Sequence, residues 1–156
     1  MGISFLLTTF LTIGYILLTL CREVPVSLSA TYYELGKFGW VFQLVMVLVG
    51  MGLMPEWIAL TPDGLQWMCF LSCGGLMLVG VAPSFKLPLE GAVHYVSAGI
   101  CCACTVLWQV CMDLWDVTLW FAFVGGMLAL SMREKWCWWL ECAVIGSLFA
   151  NLWRLV

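Results

Sequence analysis

The chain has 156 residues, of which 64% are hydrophobic and 10% charged, and its formal net charge is -3. Soluble domains carry roughly 25% charge and about 45–50% apolar residues, so a chain of this length has too little polar surface to cover itself in water. A single integral membrane domain over residues 1–156 fits; a separate soluble domain does not, and with no basic run no nucleic acid is expected as a partner.

Six apolar stretches follow one another, at residues 2–20, 38–55, 64–85, 91–112, 117–132 and 136–153. Each approaches the roughly 20 residues a helix needs to cross the hydrocarbon core. Helices satisfy their own backbone hydrogen bonds there. The expected fold is all-α, a polytopic membrane protein with a six-transmembrane-helix bundle and short loops.

The first stretch lacks a basic leader and a small-x-small cleavage site, so it is expected to be a retained helix. Its Thr8, Thr12, Tyr15 and Thr19 share one helical face. The segment that follows, Cys21 to Lys37, is too polar to span and too apolar for a plain linker. Ser27, Ser29 and Thr31 alternate in it with Leu28 and Ala30, and Tyr32 and Tyr33 follow. It is expected either to lie along the membrane interface or to fold into the mouth of the bundle.

In the second stretch Gly39, Gln43 and Gly50 share a face, and Gly74, Gly75 and Gly80 mark the third. Small residues of this kind let membrane helices approach closely. The fourth stretch carries His94 about one turn from its start, with Ser97, Cys101 and Thr105 extending the same face. The fifth, with Gly125 and Gly126, is short; it spans if Asp116 or Arg133 snorkels, and is otherwise re-entrant. The sixth carries Glu141 about two turns in.

Charge in the connections alternates. On the side of the N-terminus, side A, lie Glu56, Asp63, Asp113 and Asp116, with Arg154 the only basic side chain. On the opposite side, side B, lie Arg22, Lys37, Lys86, Arg133 and Lys135. Five basic residues against one make side B cytoplasmic. The protein is then expected in the cell's inner, cytoplasmic membrane with both termini outside. The ten tryptophans sit toward the two ends of the stretches, as in aromatic belts.

The nine cysteines fall mostly inside apolar stretches and form no C-x-x-C pair, and there is one histidine. They are expected to pack as small hydrophobes, and neither a metal nor a cofactor is expected.

Ionisable groups inside a membrane are functional candidates because their burial is costly. His94, Glu141 and Gln43 lie at similar depth, within a few ångströms at about 1.5 Å per residue. The expected site is a side-B polar pocket held by His94 and Glu141, assisted by Gln43, Ser97, Ser27, Ser29, Tyr32 and Tyr33, for a lipid head group or a small polar ligand. Other readings are an accessory subunit in which the same residues only join helices, and a small transporter. Membrane lipids are the expected partners, with a membrane-protein partner or a homo-oligomer as the alternative. Catalysis would need Ser27 or Ser29 as nucleophile, His94 as base and Glu34, Glu90 or Glu141 as orienter. There is no G-x-S-x-G or H-E-x-x-H to require it.

Three segments carry a resemblance: Pro-Val-Ser-Leu-Ser-Ala-Thr-Tyr-Tyr at 25–33, Gly80-Val-Ala-Pro-Ser-Phe-Lys86, and Val93-His94-Tyr95-Val96-Ser97-Ala98. With them the chain resembles uncharacterised small integral membrane proteins of Bacteroidetes type. More distantly it is similar to the six-helix proteins that include GPI-anchor lipid-remodelling factors and the damage-regulated autophagy modulators. The likeness runs over roughly residues 10–110. Those proteins place a polar loop after helix one and a histidine at the start of helix four, and the resemblance implies a link to membrane lipids. They would set the first loop on the non-cytoplasmic side, whereas the charge count here sets it inside.

Overall fold

Long runs of leucine, valine, methionine and alanine with few internal breakers favour helix, and the computed structural model, which describes residues 2–156, is all-helical, with no strand among those residues. The α-helices are α1 (Ile3–Leu20), α2 (Thr31–Glu34), α3 (Trp40–Ala59), α4 (Gln66–Val81), α5 (Pro88–Cys111), α6 (Trp115–Ser131) and α7 (Trp136–Leu155). One-turn 3-10 segments lead into α3, α4 and α7.

Four segments are long and apolar enough to cross a membrane: Ile3–Leu20, Gly36–Ala59, Asp63–Val81 and Pro88–Cys111. α6 has 17 residues, about 25 Å at 1.5 Å per residue, against a hydrocarbon core of about 30 Å. α7 has 20 residues but carries Glu141, Asn151 and Arg154.

Helix ends differ from the apolar boundaries where local chemistry intervenes. α3 runs through Pro55 and Glu56 to Ala59, since a proline deletes one backbone donor without ending a helix that packing supports. Glu56 at that end accepts the Gly2 backbone N–H at 2.9 Å. α4 stops at Val81 rather than at residue 85 because Pro83 disfavours helical geometry at Ala82, whose ψ is 61°. α5 begins three residues before residue 91, with Pro88 in its first turn, where a missing N–H costs nothing.

Sequential long helices pack against one another, α1 on α3, α3 on α4, α4 on α5 and α6 on α7, and α5 also packs on α7. Phe5 of α1 stacks on Phe149 of α7, ring centroids 6.2 Å apart, and closes the ring α1–α3–α4–α5–α7. α6 lies outside it, with only Gly125 and Ala129 buried. Glycine sets the closest approach of α4 to α5. A Cβ on Gly75 would stand 2.7 Å from the Ser97 carbonyl oxygen. Around the ring an outward belt of leucine, phenylalanine and tryptophan is exposed, as lipid-facing helices require.

Candidate functional site

The segment after α1 does not lie flat. It turns into the side-B end of the ring, where Pro25, Leu28, Ser29 and Thr31 are buried. The plug is held by groups from α7, from α1 and from the α4–α5 connection. Glu141 of α7 accepts the Leu28 N–H at 2.6 Å. The Trp138 N–H, one of the first-turn donors of α7 that has no partner within its own helix, is accepted by the Val26 carbonyl at 3.2 Å. Tyr15 of α1 shares a short hydrogen bond with Thr31. The Tyr33 hydroxyl accepts the Lys86 N–H at 3.2 Å, and the Lys86 ammonium lies 4.4 Å from the Tyr33 ring centre.

His94 joins the plug to the end of α4. Its Nδ1 lies 2.9 Å from the Ala82 carbonyl oxygen and its Nε2 lies 2.8 Å from Ser29 Oγ. The Ala82 carbonyl is available because Pro83 ends α4 there, leaving a last-turn acceptor without a helical donor.

Two cavities flank the plug. Below it, inside the ring, is a chamber of about 90 Å³. Leu28, Ser29 and Glu141 lie at its side-B end and Trp57 toward side A, with walls from α1, α3, α4, α5 and α7 and none from α6. Those walls are mostly aliphatic, with the Tyr15, Trp57 and Phe149 rings, a few hydroxyls and thiols, and the Glu141 carboxyl. The Ser72 and Thr105 hydroxyls lie 2.5 Å apart, and Ser72 Oγ donates to the Cys101 carbonyl at 3.0 Å. Above the plug is a polar pocket of about 350 Å³, lined by Thr19, Arg22, Glu23, Val24, Thr31, Glu34, Leu35 and Lys135. Lys135 and Glu23 form an ion pair across it at 3.4 Å. Tyr15 belongs to the chamber and Thr31 to the pocket, so their hydrogen bond is part of the partition.

Of the residues expected at one polar site, His94, Ser29 and Glu141 meet at the plug. Ser27 does not join them; its Oγ accepts the Ala30 N–H at 3.1 Å and stabilises the turn of the plug itself. Tyr32 packs on Phe42, 6.4 Å between centroids, and Tyr33 on Phe85, 5.0 Å. Ser97 is buried at the α4–α5 contact and Gln43 is half-buried on α3; neither lines the chamber or the pocket. Lys135 turns to Glu23, and Glu141 faces inward to Leu28.

No protein-family model, curated protein or solved structure matches this chain. The geometry therefore stands by itself. The three segments 25–33, 80–86 and 93–98 converge at the plug through the Ser29–His94, His94–Ala82 and Tyr33–Lys86 contacts.

The polar pocket was not legible in the sequence as a site. Arg22 and Lys135 read there as charges that set topology and Glu34 as a possible orienter for catalysis, and nothing in their spacing brings residues 22 and 135 together. A second buried cluster was also missed. On side A, Gln109 of α5 accepts from Asn151 of α7 at 2.9 Å and from Thr118 of α6 at 2.5 Å, and both amides are fully buried. The signal for it was two uncharged amides near the side-A ends of apolar helices. Among the described residues no group of three or more His, Cys, Asp or Glu side chains is arranged to hold a metal.

Proposed function

We propose that this is a six-span protein of the inner, cytoplasmic membrane that binds the phosphate-bearing head group of a membrane lipid in its side-B polar pocket. The pocket itself carries the reading. It sets Arg22 and Lys135, with Glu23 and Glu34, around about 350 Å³ at the level where α1 ends and α7 begins. With α1 and α7 as spans, that level is the depth of lipid head groups. Guanidinium and ammonium groups are suited to a phosphate, and Glu34 to an amine on the same head group. The plug, fixed by Glu141 and His94, forms the floor. The expected ligand class is kept, while the residues that contact it become those of the pocket rim, and His94, Glu141 and Ser29 hold the floor.

The six-span topology rests on α6 and α7 completing three antiparallel pairs and on the five basic residues of side B. Native cysteines test it. Cys21 is exposed at the side-B end of α1 and Cys111 at the side-A end of α5. A chain retaining only Cys111 is labelled in intact cells by an impermeant maleimide, and one retaining only Cys21 after permeabilisation. The reverse pattern would put side B outside.

The binding test is native mass spectrometry from mild detergent. The parent retains a phospholipid, and Arg22→Glu and Lys135→Glu each reduce its occupancy about tenfold, equivalent to about 1.4 kcal/mol. Added inorganic phosphate displaces the lipid if the phosphate group alone is recognised and leaves it in place if the whole head group is. A parent that carries no specific lipid, or variants that keep it in full, would remove this reading.

A further inference from the structure

The plug and α5 bring together a serine and a histidine that are 65 positions apart. A carbonyl oxygen only accepts, so the Ala82 contact places the ring proton of His94 on Nδ1. Nε2 is left as the acceptor for the Ser29 hydroxyl. The imidazole is 2% exposed and lies beside the Phe85 and Tyr95 rings, 5.1 and 5.8 Å away, which hold its orientation. A hydroxyl on a base whose second nitrogen is fixed by a third group is the arrangement of an activated nucleophile. Here the third group is a backbone carbonyl, and the carboxylates weighed for that role lie elsewhere. Glu141 is engaged by Leu28, and Glu34 lines the polar pocket.

Ser29 also lines the chamber, so its hydroxyl stands at the boundary between a base and an apolar space. At about 90 Å³ that space is smaller than the roughly 150 Å³ cavity that takes a benzene ring. It suits a short hydrocarbon group and is too small for a full-length acyl chain to lie wholly within it.

We propose that Ser29, activated by His94, is the nucleophile of an acyl-ester hydrolysis whose substrate carries a short acyl group seated in the chamber. Ser29 Oγ forms a bond to the acyl carbonyl carbon while its proton passes to His94 Nε2. The bond from that carbon to the alcohol oxygen breaks, and His94 returns the proton to the departing alcohol. Water then attacks the acyl-serine with His94 taking its proton. The acid leaves and Ser29 Oγ regains a proton. Ester and water become acid and alcohol, and nothing is oxidised or reduced. The site is on the chamber side of the Tyr15–Thr31 partition, so the inference does not depend on what the polar pocket binds.

The test is covalent labelling of the full chain in detergent with an ethyl fluorophosphonate, read by intact mass and peptide mapping. One adduct per chain is expected, on Ser29. It is absent in Ser29→Ala and forms about 100-fold more slowly in His94→Ala, the scale of a lost general base. A fluorophosphonate with a sixteen-carbon chain is expected to react about tenfold more slowly than the ethyl reagent with the parent. No adduct on Ser29, or an undiminished rate in His94→Ala, overturns the assignment of nucleophile and base. Faster labelling by the long-chain reagent overturns the short-acyl class. Should His94→Ala not fold, the mapped site in the parent and its loss in Ser29→Ala still decide, because that change removes one oxygen and leaves the Glu141–Leu28 contact in place.

Discussion

Glu141, in the second turn of the bundle's last helix, accepts the main-chain N–H of Leu28 at 2.6 Å, and so a carboxylate on α7 holds the segment that follows α1. A buried donor left without a partner costs about 1–3 kcal/mol. Glu141→Ala is therefore expected to lower the melting temperature in detergent and to speed hydrogen exchange at the Leu28 amide. Glu141→Gln keeps an acceptor oxygen at the same reach and should recover most of both. If the two variants behave alike, the contact does not hold the plug.

The α4–α5 contact depends on a missing side chain. A Cβ on Gly75 would stand 2.7 Å from the Ser97 carbonyl oxygen and 3.2 Å from Cys101 Cβ, whereas one on Gly74 meets nothing within 4 Å. Gly75→Val is expected to cost about 1–3 kcal/mol by overpacking. Gly74→Ala should be neutral or stabilise by about 0.5–1 kcal/mol, because glycine is a poor helix residue. Thermal unfolding of the two variants side by side checks this. A tolerant Gly75 would mean that the two helices have room to separate.

α6 is outside the ring and is tied to it on side A by a buried amide. Asn151 donates to Gln109 at 2.9 Å, and Thr118 of α6 donates to the same oxygen at 2.5 Å. Asn151→Leu removes one donor and is expected to cost about 1–3 kcal/mol. Hydrogen exchange should rise in α6 more than in α3 or α4. A uniform rise across the bundle would count against a local tie.

Tyr33 makes one hydrogen bond and three ring contacts, with Tyr32, Phe85 and the Lys86 ammonium. Tyr33→Phe loses the hydroxyl that accepts the Lys86 N–H but keeps the packing on Phe85 and the Lys86 ammonium above the ring. The expected loss is about 0.5–1.5 kcal/mol, with lipid occupancy in the polar pocket unchanged. A large drop in occupancy would extend the site to the α4–α5 loop.

The polar face of α1 shows how far a sequence pattern reaches. Thr8, Thr12, Tyr15 and Thr19 were legible as one face from their spacing, and all four are buried on the inner side. Their partners were not legible. Thr8 and Thr12 return their protons to carbonyls four residues back, while Tyr15 reaches Thr31 in the plug. Periodicity reports which residues share a face because helix geometry is local. It carries nothing about what that face meets.

The candidate site followed the same division. His94 and Glu141 stood out because an ionisable group in an apolar run is costly wherever it points. That both would spend their hydrogen bonds on the plug, and that Gln43 and Ser97 would turn elsewhere, depended on helix rotation and on where Pro83 released the Ala82 carbonyl. The polar pocket depended on the plug folding inward, which brought Arg22 and Glu34 beside Lys135.

Hydropathy and helical period alone led to an all-helical chain of six apolar stretches, with cations in the connections on one side and the polar segment after α1 set apart in composition; of the helices that form, four are long and apolar enough to cross a membrane. These are local or additive properties, fixed by hydropathy and helical period. Helix packing then sets the entry of this segment into the ring, the meeting of Ser29 with His94, and the chamber and polar pocket on either side of it. Contacts between residues 65 or 113 positions apart are set by helix packing and by the need of each buried polar group for a partner, and no local pattern encodes either.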